Sequence, residues 1–223
     1  MNRIVFAAAF AIGLMIVAWV GVGFIGASWL ALAMTAVIGA VFVLGALEVS
    51  RYRAATASLA TALAEVAEPM PGTAAWLERV PAALRNPVRL RIEGERVALP
   101  GLTLTPYLVG LLVMLGMLGT FLGMVMTFKG VVFALEGSPD LQAIRSALAA
   151  PIKGLGLAFG TSVAGVATSA LLGLLSAMSR RERLDVARQL DTLVATVFRP
   201  FCWRTSVRKL SRRCRCRRTR CPM

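Results

Sequence analysis

The sequence has no histidine, and its 223 residues include only 11 acidic side chains. Without histidine, the chain has neither a His-ligated metal site nor a histidine general base, and we expect no metal and no other cofactor. Charged residues make up only 16% of the chain, whereas apolar residues make up 57%, and the mean hydropathy is +0.73. Soluble domains of this size carry more charge, so the composition indicates an integral membrane protein.

Cysteine is absent from the first 201 residues, and all four cysteines lie in a basic tail, residues 201–223. Ten of the 25 basic residues lie between Arg199 and Arg220, so the net charge of +14 leaves only +4 for the rest of the chain. The tail has no apolar periodicity, and its cysteine spacing lacks the pattern of a zinc site. We expect it to be disordered and incidental to function; contact with anionic lipid or with nucleic acid are the alternatives.

No Asp, Glu, Lys or Arg occurs in four long apolar runs, each long enough to cross about 30 Å of hydrocarbon. The runs are residues 4–25, 29–47, 105–128 and 155–178. The first run also fits a signal peptide, but it is longer than a typical signal core, and a second run follows almost at once. The sequence therefore predicts an all-α integral membrane protein with four transmembrane helices.

The distribution of arginine and lysine predicts the topology of these helices. Seven arginines lie in the loop 48–104, and Arg180, Arg181 and Arg183 follow the fourth run, whereas the linker between the first two runs has no charge. By the positive-inside rule, both termini and the long loop are cytoplasmic in a bacterial inner membrane. The spans should continue as cytoplasmic helices within 48–104 and over 179–200, and residues 138–150 should form an outer amphipathic helix.

Small and hydroxyl-bearing residues interrupt the last two runs at helical spacing. In the third run, Gly116, Thr120, Gly123 and Thr127 follow one helix face with Gly119 beside them. A similar face in the fourth run is formed by Thr161, Ser162, Gly165, Thr168 and Ser169. Such faces serve either close helix packing or a polar pathway, and the spacing alone leaves both open. In two antiparallel spans, Thr120 and Ser162 would lie at the same depth.

No span contains an ionisable residue, and this absence bears on whether the stripes form a polar pathway. Proton-coupled membrane proteins carry an acidic or basic group within the membrane, and such a group is functional by default. If this chain conducts protons, a partner must therefore supply the carboxylate. The loop 48–104 has glutamates but no nucleophile–base pair or metal cluster, so a membrane-anchored enzyme is disfavoured and we expect no enzymatic activity.

The segments LGMLGTFLGMVMTF and GLAFGTSVAGVATSALLGL resemble the paired signature of the MotA/TolQ/ExbB proton-channel superfamily. The resemblance is strong over about residues 105–190, and the form is similar to the branch of the Zorya anti-phage motor subunit. The four-span topology resembles MotA in particular. The proline of the TolQ/ExbB-type first motif is replaced by Val113, and the ExbB-type glutamate by Leu157.

The resemblance implies a homopentamer around a dimer of a single-span partner of the MotB/TolR/ExbD type, with an OmpA-type outer domain as one form of that partner. The family's pore threonines fall on Thr120 and on Ser162, with Thr161 adjacent, and the partner's aspartate would carry the proton. A passive membrane scaffold, which uses the same faces only for packing, is the alternative function. Both functions, the proton-channel subunit and the scaffold, place the protein among membrane lipids, and for neither do we expect a nucleic-acid partner.

Overall fold

The computed structural model describes residues 3–25, 29–65, 73–93, 95, 97–135 and 141–196, and this part of the chain is helical, with no strand. The helices are α1 (Arg3–Gly23), α2 (Trp29–Ala64), α3 (Thr73–Arg79), α4 (Ala82–Ile92), α5 (Thr105–Leu135) and α6 (Leu141–Thr196). The prediction of an all-helical chain is therefore confirmed for these residues. The basic tail lies outside them.

Four of the helices are long and apolar enough to span a membrane: Ile4–Gly23, Trp29–Ala64, Thr105–Phe128 and Phe159–Thr196. Each of them contains most or all of one predicted run. Both α2 and α6 continue well beyond their apolar parts, in keeping with the predicted helical extensions. The α6 helix is continuous through residues 141–155, so the fourth run and most of the predicted outer segment 138–150 belong to one helix. A position of that segment at a membrane surface stays a prediction.

The chain divides into two compact units. The first unit contains Met1–Ser50 and Leu102–Met178, that is, the four apolar regions. In this unit, α1 and α2 pack closely because glycines leave room for large side chains. The Phe42 ring lies against Gly13 and stacks on Phe10 with ring centroids 5.8 Å apart. A side chain at Gly39 would place its Cβ 3.0 Å from Val17, so the two helices contact each other through one glycine on each.

The second unit contains Arg51–Gly101 and Ser179–Met223, and its described part has an aliphatic core of its own. Trp76 on α3 is buried and donates a hydrogen bond from Nε1 to the Ala62 carbonyl at 2.8 Å. The residues packed around it come from every helix of the unit: Leu59, Ala62, Leu63, Val80, Leu84, Val88, Ile92, Val186 and Leu190. Fully burying one such side chain stabilises a fold by about 1.5–3 kcal/mol, so these helices form a folded body rather than an open loop.

Candidate functional site at the α5–α6 helix pair

The α5 and α6 helices of the first unit approach each other closely enough for their backbones to touch. A Cβ at Gly165 would lie 2.7 Å from the Gly116 Cα and 2.8 Å from the Leu112 carbonyl oxygen. One at Gly119 would lie 2.5 Å from the Thr161 Oγ1. No side chain fits at these positions, so glycine is required there for steric reasons.

These contacts also define the register of the pair. Gly116 lies beside Gly165 and Gly119 lies beside Thr161, so residue numbers rise along α5 as they fall along α6. The helices are therefore antiparallel. Thr120 and Ser162 follow Gly119 and Thr161 in the chain, which puts these two hydroxyl-bearing residues at the same level, as the depth argument from the sequence requires.

Three of the hydroxyl groups are buried by the packing of α6. Thr161 is 2% exposed, Thr168 is 0% exposed and Ser169 is 5% exposed. Thr168 donates to the carbonyl of Ala164 at 2.7 Å, and Ser169 donates to that of Val166 at 2.8 Å. Such bonds satisfy a hydroxyl within its own helix and let it occupy an apolar interior. Within this chain, Thr161, Thr168 and Ser169 therefore lie in the helix packing.

Thr120 and Ser162 differ from these buried residues, because both are partly exposed. Thr120 directly follows Gly119, and Ser162 directly follows Thr161, which are the residues in contact between the helices. One step along a helix turns the side-chain direction by about 100°. In an antiparallel pair viewed along one axis, that rotation is clockwise in one helix and anticlockwise in the other. Both positions therefore lie on the same side of the pair. The Thr120 hydroxyl donates to the Met117 carbonyl at 2.5 Å and contributes no bond to the helix contact.

The first helix contacts the opposite side of this pair. A Cβ at Gly160 would lie 3.6 Å from the side chain of Val20, which belongs to α1. It would lie 2.9 Å from the ring of Phe24, the residue that directly follows α1. Gly160 precedes Thr161 whereas Ser162 follows it, so the two point about 200° apart around α6. The side that carries Thr120 and Ser162 is thus the side away from α1. We call it the hydroxyl face.

The remaining members of the predicted stripe on α5 are Gly123 and Thr127. Gly123 and Thr127 are partly exposed, and the Thr127 hydroxyl donates to the Gly123 carbonyl at 2.7 Å. The small and hydroxyl-bearing residues that the sequence places on one face of each helix thus fall into two groups in the structure. Glycines and buried hydroxyls hold α5 to α6, and partly exposed hydroxyls remain beside the contact.

A carboxylate that sequence reasoning did not single out fixes the beginning of α5. The Glu48 Oε2 accepts a hydrogen bond from the Thr105 hydroxyl at 2.7 Å, and its Oε1 accepts one from the Leu104 amide at 3.1 Å. Thr105 is fully buried. The bonds satisfy a free amide at the helix start and put a negative charge at the positive end of its dipole. A threonine before Pro106 signals a helix start, but nothing in the sequence pairs it with a glutamate 57 positions earlier.

A second cluster missed by sequence reasoning surrounds a buried arginine in the second unit. The Arg183 guanidinium donates to the Thr56 hydroxyl at 3.0 Å and to the Pro100 and Tyr52 carbonyls, and it lies 3.7 Å from the centre of the Tyr52 ring. Burial lowers the pKa of Arg183, while the Tyr52 charge opposes that shift. Burial likewise raises the pKa of Tyr52 above its ordinary value, against the opposing charges of Arg183 and Arg180. The cluster joins α2, α6 and the segment that ends at Gly101, which is a structural function.

Comparison with protein-family models, with curated proteins and with solved structures finds no match to this chain.

Proposed function

We propose that this chain is the channel-forming subunit of a proton-driven motor complex in a bacterial inner membrane. In this proposal, five copies surround two copies of a single-span partner, and the partner contributes the carboxylate that carries the proton. Thr120 and Ser162 line the path of that proton. The motif resemblance of α5 and α6 to the MotA/TolQ/ExbB superfamily suggests this class of protein.

One structural observation carries the proposal beyond the motif. Thr120 and Ser162 lie at one level on the side of the α5–α6 pair that faces away from α1, and both remain partly exposed within the subunit. If the stripe served only to pack α5 on α6, Gly116, Gly119 and Gly165 would suffice, because they already make the closest contacts. Two partly exposed hydroxyl-bearing residues at one level are what a proton path beside a partner helix needs. None of the four spans offers a carboxylate, so that group must come from the partner.

The test is to replace Thr120 by valine, which keeps the shape of the side chain and removes its hydroxyl. We expect proton flux to fall to the background level while assembly is unchanged. Flux is measured with a pH-sensitive dye in inverted membrane vesicles from cells that express the chain with its neighbouring gene product. Assembly is measured by native mass spectrometry of the detergent-purified protein, with and without that product.

The matched control is Thr35→Val. Thr35 on α2 is buried, and its hydroxyl donates to the Ala31 carbonyl at 2.9 Å, so this change removes a hydroxyl of the same kind away from the hydroxyl face. Flux should persist in the control. Normal flux in Thr120→Val would refute the role of this hydroxyl as a proton-path residue.

A non-conducting scaffold is the second candidate, and the backbone contact of Gly116 with Gly165 favours it, since that contact explains most of the stripe by packing alone. A scaffold predicts no flux above background in the unaltered protein. It also predicts that Thr120→Val has at most an effect on assembly. The same pair of measurements therefore separates the two functions.

A further inference from the structure

Three arginines are exposed just beyond the ends of the apolar parts of α2 and α6. Arg51 follows the second apolar run by about one helical turn, and Arg180 and Arg181 follow the fourth run almost directly. All three residues are exposed in the second unit. We call this set the arginine belt.

Contacts between α2 and α6 put the three arginines of the belt at one level. Tyr52 and Arg53 directly follow the belt arginine of α2, and Glu182 and Arg183 directly follow the two of α6. Arg53 forms an ion pair with Glu182 at 3.1 Å, and Arg183 donates to the Tyr52 carbonyl at 3.3 Å. Because the residues next to the belt touch each other across the two helices, the belt surrounds one short stretch of this helix pair.

The belt arginines differ from the other arginines of the second unit in their bonding. None of the three forms an ion pair or a hydrogen bond with the described residues. Two further arginines donate to backbone carbonyls, namely Arg85 and Arg183. Five others pair with carboxylates at 3.0–3.4 Å; these are Arg53, Arg79, Arg89, Arg91 and Arg188. The belt therefore presents three positive charges to an anion outside the described part of the chain.

The helix faces that lead to the belt are apolar and exposed. On α2, Leu44 and Leu47 are 59% and 47% exposed, and they precede Arg51 by seven and four residues. On α6, Leu174 is 54% exposed and precedes Arg181 by seven residues. Residues at these intervals share one face of a helix. Each face thus passes from leucine to arginine, as does a surface that contacts the acyl chains of a lipid and then its headgroup.

A tryptophan lies at the opposite end of this apolar length of α2. Trp29 is the first residue of the helix and is 81% exposed. Arg51 follows it by about six turns, or roughly 33 Å, and the hydrocarbon core of a bilayer is about 30 Å thick. Tryptophan is enriched at membrane–water interfaces, and arginine is enriched at the cytoplasmic one. This spacing favours a position of the belt at the level of lipid phosphates rather than free in water.

We infer that the arginine belt binds the phosphate of anionic phospholipid headgroups at the cytoplasmic surface of the membrane. The planar guanidinium group suits this ligand, because its N–H donors match the oxygen atoms of a phosphate. A zwitterionic headgroup also contains a phosphate, but its own ammonium group offsets that charge, so the belt prefers an anionic lipid. The inference rests on the membrane location in the proposed function and not on proton conduction.

The test is a titration of phosphatidylglycerol into the detergent-purified full-length protein, with bound lipid counted by native mass spectrometry. The arginines and lysine of 202–223 are replaced by glutamine in every sample, so that the tail contributes no charge. We expect Arg51→Gln, Arg180→Gln and Arg181→Gln each to weaken phosphatidylglycerol binding by about fivefold, the usual effect of one basic residue near an anionic lipid surface. Binding of phosphatidylcholine, which has no net charge, should not change.

Two further variants serve as controls for the triple glutamine variant of the belt. The first removes three other arginines of the second unit, each of which bonds to a carboxylate or a carbonyl: Arg79→Gln, Arg85→Gln and Arg89→Gln. This variant loses the same charge and should still bind phosphatidylglycerol. The second combines Arg51→Lys, Arg180→Lys and Arg181→Lys, which keeps the charge of the belt and should retain most of the binding.

Four outcomes would overturn the inference. Equal weakening in the arginine control and in the belt variant would mean that net charge, rather than position, determines binding. Loss of binding in the lysine variant as large as in the glutamine variant would mean that the charge of the belt does not determine it. Equal binding of both lipids by the unaltered belt would leave these arginines to another occupant, such as an acidic protein segment. Displacement of phosphatidylglycerol by inorganic phosphate would identify a site for phosphate in water instead of a headgroup site.

The inference and the proposed function can fail separately. A preference for phosphatidylglycerol without proton flux in the vesicle test would leave the belt standing and refute the proposed channel. Proton flux without a lipid preference would refute the belt and leave the channel standing.

Discussion

At the scale of single residues, Gly165 is the position in the α5–α6 contact at which a larger side chain is least tolerated. A methyl group there would meet backbone atoms of Gly116 and Leu112 at 2.7 and 2.8 Å, and backbone cannot move aside as a flexible side chain can. We expect Gly165→Ala to lower the free energy of unfolding by about 1–3 kcal/mol, as overpacking does. The measurement is thermal unfolding in detergent, followed by circular dichroism.

The control for this change is Gly21→Ala on α1. Its Cβ would lie 3.8 Å from the Thr35 side chain, an ordinary contact. Replacing glycine by alanine within a helix then raises helix stability by about 0.5–1 kcal/mol, so this variant should be at least as stable as the unaltered protein. If Gly165→Ala unfolds at the same temperature as this control, the close approach of α5 and α6 is wrong.

The spacing of small residues predicted which positions of α5 and α6 carry the polar stripe, because a helix puts every third or fourth residue on one face. It did not separate Thr161 from Ser162. These neighbours differ by about 100° around the helix, and only the contact with Gly119 decides which of them is buried. That contact depends on how two helices rotate against each other, which is not encoded in the period of one helix.

At the scale of elements, Glu48 determines where α5 begins. Its carboxylate accepts hydrogen bonds from the Leu104 amide and the Thr105 hydroxyl. Without Glu48, both donors at this helix start would have no acceptor from the protein. We expect Glu48→Ala to lower the free energy of unfolding by about 0.5–2 kcal/mol, the usual effect of removing an N-terminal cap. Glu48→Gln should cost less, because the amide oxygen still accepts one of the two bonds. Thermal unfolding in detergent measures both.

Glu78→Ala is the matched control for the cap, since Glu78 is exposed on α3, in the second unit. Its removal should leave the unfolding temperature unchanged within error. An equal effect of the two alanine variants would mean that loss of negative charge, rather than loss of the cap, accounts for the result. The continuation of α2 and α6 beyond the ends of their apolar runs toward the C-terminus was predicted from the sequence, although the continuous start of α6 at Leu141 was not. The cap depends on residues far apart in the chain and could not be predicted.

At the scale of the whole molecule, the four apolar runs were predictable because the absence of charge over some twenty residues is a strong signal. The second unit was predicted only as helical segments. Its core depends on contacts among Trp76, Leu59 and Leu190, which lie in three separate stretches of sequence, and no local period connects them. Long-range packing of this kind decides that the described part of residues 51–101 forms a folded body together with the part of α6 from Ser179 onward.

The basic tail, residues 201–223, is predicted to be incidental to function. Residues 202–223 contain no apolar period that could pack on a core, and the second unit already has a buried core made from other segments. We therefore expect a chain ending at residue 201 to assemble and conduct as the full chain does, measured by native mass spectrometry and by dye quenching in vesicles. The control replaces the arginines and lysine of 202–223 by glutamine at full length. If both variants fail to assemble, the positive charge of the tail is needed, as contact with anionic lipid would require. If only the truncated chain fails to assemble, the length or the cysteines of the tail are needed instead of its charge.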